Sequence, residues 1–148
     1  MPTAKRPTFG GGYGVPTGND GMLPWSWAAE RLARAHNYWI AVSGPHASPV
    51  WALWREGAIV FSCGPRSRKA RAIARDPSVV VHLESGDEVV IVEGRAEKTE
   101  VDDSVIDEYD RKYGFRADKG EGWYRVEPQR VLAWTERDFP RNATRFDF

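Results

Sequence analysis

The sequence predicts a mainly β domain, an antiparallel barrel with helices between or around its strands. Seven short segments carry β patterning, "YWIAVSG", "SPVWALW", "AIVFSC", "SVVVHLE", "EVVIVEGRAEK", "GWYRVE" and "RVLAWTE". The turns between most consecutive segments are too short for parallel crossovers, and a closed barrel leaves no exposed edge. A strand, glycine-rich turn and helix unit of the dinucleotide-binding kind is missing: "GGGYG" at 10–14 precedes no βαβ pattern, which sets a Rossmann fold aside.

Residues 1–23 are rich in Gly, Pro and Thr without a hydrophobic period, and read as an extended or flexible arm before a single domain at 24–148. Pro24 suits the first turn of a helix in which Trp25, Ala28, Ala29, Leu32 and Ala35 recur at helical spacing until Asn37. The period then changes to two. Segments 38–44, 48–54 and 58–63, separated by "PHA" and the Glu56-Gly57 turn, predict three antiparallel strands in meander order.

A helix over 67–75, stopped by Asp76-Pro77, leads to a hairpin joined by "SGD". Within that helix Ala70, Ile73 and Ala74 are the expected buried stripe. The stretch 101–113 has Val101, Val105 and Tyr109 at helical spacing, Asp102 and Asp103 early, Arg111 and Lys112 late, and Gly114 as its stop. Two short strands linked by Pro128-Gln129 follow, then a surface-packed tail.

Composition narrows the function. The chain has 148 residues, enough for one self-sufficient core, and its 21 basic and 21 acidic residues give no whole-molecule field favouring nucleic acid or an anionic membrane. One cysteine, Cys63, and scattered His36, His46 and His82 supply neither a disulfide nor a metal spacing. No apolar run approaches a membrane span and the N-terminus lacks the apolar core of a secretory signal, so a cytoplasmic protein is expected. The tryptophans, Trp25, Trp27, Trp39, Trp51, Trp54, Trp123 and Trp134, read mostly as core.

The stretch "SCGPRSRKARAIARD", Ser62 to Asp76, departs from this ordinary pattern. Arg66, Arg68, Lys69 and Arg71 crowd the start of its helix, where the dipole is already positive and acidic residues are favoured. Ser67 is a good N-cap, so the free amides of the first turn point with Arg66 and Lys69 toward one spot. A bound phosphate reverses the unfavourable sign; a merely solvated basic face is the alternative. Cys63 reads as a small strand-end residue rather than a nucleophile, His82 as packed or cofactor-facing, and Glu84, Asp87 and Glu88 as a solvated hairpin end.

The run "PVWALWREGAIVFSCGPRSRKARAIARDPSVVVHLESGDEVVIVEGRAE" resembles the pyridoxamine 5'-phosphate oxidase-like split β-barrel flavoproteins, in particular their actinobacterial flavin/deazaflavin oxidoreductase branch, many members of which use coenzyme F-420. The resemblance is strong over 24–98 and looser through "GWYRVEPQRVLAW" and "DFPRNATRF". It implies a split antiparallel β-barrel forming a homodimer with the cofactor in an inter-subunit cleft. It implies that Arg66, Ser67, Arg68 and Lys69 hold the cofactor phosphate. It further implies that Pro49, Val50, Trp51 and Ala52 on one strand, and Ser62 and Cys63 on the next, line the tricyclic ring, with a partner's Trp123 or Trp134 completing the pocket.

The chain departs from true pyridoxamine 5'-phosphate oxidases in two places. "SPVWALW" lacks their basic flavin-binding residues, and "TERDFPRNATRFDF" lacks their Arg/His substrate signature, so vitamin B6 oxidation is not expected. Coenzyme F-420, with FMN as the alternative, is the implied cofactor, and a small unsaturated molecule the implied hydride acceptor. A noncatalytic flavin or deazaflavin binder and a polyanion binder using the Arg66 to Arg75 stripe stand as competing readings.

Overall fold

The computed structural model describes residues 1–148. In chain order the elements are β1 (Thr3–Lys5), α1 (Trp25–Arg34), β2 (Tyr38–Val42), β3 (His46–Val50), β4 (Ala52–Arg55), β5 (Ala58–Ser62), α2 (Arg68–Arg75), β6 (Ser78–Leu83), β7 (Glu88–Thr99), α3 (Asp103–Tyr113), β8 (Trp123–Thr135) and β9 (Thr144–Asp147). All strand pairings are antiparallel.

The segment 48–54, expected as one strand, is divided at Trp51. β3 pairs with β2, whereas β4 pairs with β5. Because β3 and β4 are contiguous through Trp51, the three segments follow one another in the expected antiparallel meander order, and the circuit β2, β3/β4, β5, β8, β7, β6 and back to β2 closes the barrel. The corner also places Trp51 and Trp54 in different surroundings: Trp54 packs on the barrel core, and Trp51 stands outside it against α3.

β8 splits the sheet. Its first half pairs with β5 and its second with β9, while β7 runs along its whole length. The two short strands expected around Pro128 are thus one long strand with a bulge: Glu93 faces Arg130 and Gly94 faces Pro128, leaving Gln129 as the extra residue. A proline is tolerated there because a bulge needs no ladder donor. Gly94 is required by close approach, since a Cβ there would lie 2.5 Å from the Glu127 carbonyl oxygen.

Inside the barrel, Tyr38, Ile40, Ala52, Ile59, Phe61, Val81, Val92, Val126 and Val131 form the main core, plugged by Ala28 and Leu32 of α1 and by Ala72 and Ile73 of α2. The buried stripe of α2 is Ala70, Ala72 and Ile73, with Ala72 rather than the expected Ala74 turned to the core; Ala74 is exposed. A second core lies outside the barrel, where Val105, Ile106 and Tyr109 of α3 cover Leu53, Val60 and Trp123. α3 has Asp102 as its N-cap, accepting from the Val105 amide, and Gly114 in the left-handed region at its end.

The N-terminal residues run extended and are tied to the body. β1 pairs with β9, and the Arg6 guanidinium donates to the carbonyls of Gly18, Asp20, Arg141 and Ala143. Phe9 packs edge-on against Trp134 and beside Phe139. No helix is long and apolar enough to cross a membrane.

Candidate functional site

α2 starts where β5 ends, and a short turn sets the geometry between them. The Cys63 amide donates to the Gly122 carbonyl at 3.0 Å, and the Ser67 amide to the Gly64 carbonyl at 3.0 Å. Ser67 Oγ then accepts from the Ala70 amide at 3.1 Å, which caps the helix and leaves the Arg68 and Lys69 amides without intrahelical partners. The first turn contains no acidic residue. Both the unpaired amides and the positive dipole end face outward at this point.

Beside it lies a cleft of about 490 Å³ lined by Asn37, Pro49, Val50, Trp51, Ser62, Cys63, Gly64, Ser67, Lys69 and Tyr109. Seven of the ten residues the sequence pointed to, Pro49, Val50, Trp51, Ser62, Cys63, Ser67 and Lys69, therefore meet on one wall system. Three do not line it. Arg66 is exposed, the Arg68 guanidinium reaches the Gly44 carbonyl at 3.3 Å, and the Ala52 side chain is buried in the barrel core. Gly64 of the β5–α2 turn, Asn37 and Tyr109 complete the cleft; the last two come from the α1–β2 link and from α3 and meet it only in the fold.

Lys69 Nζ donates to Ser48 Oγ at 3.0 Å, holding the ammonium between α2 and β3 at the edge of the cleft. Ser62 Oγ is buried without any hydrogen-bond partner, the one such side-chain atom in the structure. An unpaired buried hydroxyl costs on the order of 1–3 kcal/mol, and this one lies just behind the cleft wall. Burial pushes the Cys63 thiol up, partly offset by Ser67 and Lys69, so it remains a neutral thiol at neutral pH rather than a thiolate.

Trp51, 39% exposed, is stacked on Tyr113 with centroids 4.6 Å apart and planes 9° apart. Beneath this shelf the barrel corner is clamped. The Tyr113 hydroxyl accepts from the Ala52 amide at 2.9 Å and donates to the His36 carbonyl at 2.7 Å, while Lys112 Nζ donates to the Ala52 carbonyl at 2.9 Å and to the Tyr38 hydroxyl at 3.0 Å. Burial holds the Lys112 ammonium down at about 8 and pushes the Tyr113 phenol up to about 12.

Trp123 is buried in the second core with its indole N–H on the Asp118 carbonyl at 2.8 Å, so it is committed to its own chain. Trp134 packs on Phe9 and Phe139. His82 lies parallel to Trp39 and its Nδ1 is 2.8 Å from the Leu83 carbonyl oxygen. Glu88 of the hairpin end is paired with Arg31.

Comparison with known proteins places this geometry. A conserved hypothetical protein from Mycobacterium tuberculosis superposes with a TM-score of 0.68 at 21% identity, covering 80% of this chain and 89% of that one. A protein described as an F420 reductase superposes with a TM-score of 0.57 at 17% identity, covering 69% and 92%. A heme binding protein from Mycobacterium smegmatis does so with 0.62 at 18%, covering 81% of this chain and 57% of its own. At these identities the likeness is one of fold. No curated protein matches this chain in sequence. The family model described as pyridoxamine 5'-phosphate oxidase matches residues 32–135, from the end of α1 to the end of β8, and the chain belongs to that family.

Proposed function

We propose that the cleft holds the deazaflavin coenzyme F-420 and that the protein is a cytoplasmic, homodimeric reductase passing hydride to a small unsaturated organic molecule. One observation carries the reading. The anion cradle at the start of α2 and Ser62, whose sealed hydroxyl is without a partner, belong to the wall of the same cleft, at the foot of the Trp51 shelf. That donor set fits a phosphate joined to a planar polar ring, with Lys69 and the amides of Arg68 and Lys69 on the phosphate and Arg66 and Arg68 screening it from outside.

When bound, F-420 supplies the hydride chemistry; the protein supplies binding, orientation and exclusion of water. Ser62 Oγ, sealed behind the cleft wall in the free protein, would donate to a ring heteroatom once the ring seats against that wall. Pro49 and Val50 present apolar surface to the ring, and Trp51, braced by Tyr113, limits its sideways movement. Tyr109 closes the cleft with its ring beside Trp51, and burial, reinforced by the Glu121 carboxylate, raises its phenol. The absence of basic side chains on "SPVWALW" favours a deazaflavin over FMN.

The test is to mix purified protein with reduced F-420 and a panel of enones, quinones and tetrapyrroles, following reoxidation by absorbance. Turnover with at least one acceptor, abolished in Lys69→Ala, is the expected result. Tight binding without turnover converts the reading to a noncatalytic carrier, tight binding of FMN alone moves it to a flavin enzyme, and binding of neither overturns it.

A further inference from the structure

On the other side of α2 lies a second cleft, of about 350 Å³, lined by Pro65, Ala70, Arg71, Ile73, Ala74, Ala96, Lys98, Gly122 and Tyr124. Its origin is visible in β7. Val90, Val92, Gly94 and Ala96 are the buried, inward-facing row of that strand, and Lys98 is the next residue in the same register. A lysine thus continues a core row at the barrel mouth, directly opposite Tyr124 of β8. Neither an ion pair nor a hydrogen bond engages the side chain of Lys98 or Arg71, and no carboxylate lines the cleft.

Tyr124 supplies the independent observation. It is 3% exposed, its ring stacks on Phe61 in the main core, and its hydroxyl makes no hydrogen bond within the protein. Since Ser62 Oγ is the sole sealed polar atom without a partner, the Tyr124 hydroxyl is not sealed, and the residue lines this cleft. Burial raises the phenol, so at neutral pH it is a donor. An unpaired donor on a nearly buried ring and two cations free of ion pairs around an apolar floor of Ala70, Ile73, Ala74 and Ala96 fit one kind of ligand.

We propose that this cleft is a binding site, separate from the one assigned to the cofactor, for a small aromatic carboxylate. The carboxylate sits between Lys98 and the Tyr124 hydroxyl with Arg71 at its rim, and the ring lies on the alanines of α2. The inference is independent of the F-420 reading.

The probe is 2-naphthoate, with 2-naphthalenemethanol as its neutral counterpart, titrated by calorimetry and by the backbone amide shifts of Ala96 and Gly122. Naphthoate binds the wild type and shifts both amides, and the alcohol binds at least about tenfold more weakly, the loss of one charge-assisted hydrogen bond. Lys98→Met and Tyr124→Phe each weaken naphthoate by about tenfold or more. Ala74→Trp, at an exposed helix position, fills the cleft and abolishes binding, while Trp51→Ala leaves it unchanged. Failure of naphthoate to bind, unchanged affinity in Lys98→Met, Tyr124→Phe or Ala74→Trp, or loss of binding in Trp51→Ala overturns the assignment.

Discussion

Replacing Lys112 with methionine isolates the cost of a half-buried ammonium beneath the barrel corner. In the wild type Nζ bonds the Tyr38 hydroxyl and the Ala52 carbonyl, and lies 4.9 Å and 5.2 Å from the Tyr38 and Tyr113 ring centres. Burial lowers its pKa from 10.5 to about 8. Between those two values the unfolded chain binds more protons than the folded one, so the contribution of this group to stability rises with pH across the window. The full shift is worth about 3 kcal/mol, and solvent screening of a partly exposed amine reduces it to roughly 1–2 kcal/mol. Below pH 8 that cost is present in full. Wild type should therefore gain roughly 1–2 kcal/mol on Lys112→Met between the two pKa values.

Keeping the comparison below pH 10.0, the ordinary tyrosine value, leaves the tyrosines out of it. Burial raises Tyr38, Tyr109, Tyr113 and Tyr124, which lowers stability only above their unfolded pKa. Urea unfolding followed by tryptophan fluorescence at several pH values supplies the comparison. A wild-type advantage that is flat in pH, or shrinks as pH rises, refutes the reasoning.

Three substitutions probe other links. Ser67→Ala removes the acceptor of the Ala70 amide and should cost about 1 kcal/mol of stability, read by denaturant midpoint. Gly94→Ala forces a Cβ to within 2.5 Å of the Glu127 carbonyl oxygen, so the β7–β8 bulge must open and the melting temperature falls by an amount corresponding to about 1–3 kcal/mol or more. Trp51→Ala forfeits the stack on Tyr113, about 1 kcal/mol of stability, yet should weaken F-420 binding by a larger factor, because the exposed indole lines the cleft.

Local signals in the sequence were sufficient wherever a feature is decided locally. The two later helices were readable from Ser67 with Asp76-Pro77 and from Asp102 with Gly114, and the structure caps them at those residues. The inverted charge at the start of α2 pointed to the neighbourhood of the cleft for the same reason: dipole, cap and side chains all belong to one short stretch. What escaped was decided by distant partners. Nothing near Trp51 in the chain says that Ala52 will leave β2 and pair along β5. Pro128 looked like a break because its compensation, Gly94, lies on another strand. Asn37, in the link from α1 to β2, and Tyr109, midway along α3, reach the cleft only when the barrel closes, and the helical spacing of Tyr109 reads as core, which half of its environment is.

The central claim is that the start of α2 and the Ser62 wall hold one phosphorylated ring cofactor. Side-by-side equilibrium titration of wild type, Lys69→Ala and Ser62→Ala with F-420 and with FMN tests it most directly. The account predicts preferential binding of F-420, weakened by about tenfold to a hundredfold in Lys69→Ala through loss of a charge-assisted contact, and weakened to a lesser degree in Ser62→Ala. Equal affinity of all three proteins for F-420, or binding of neither cofactor, contradicts it.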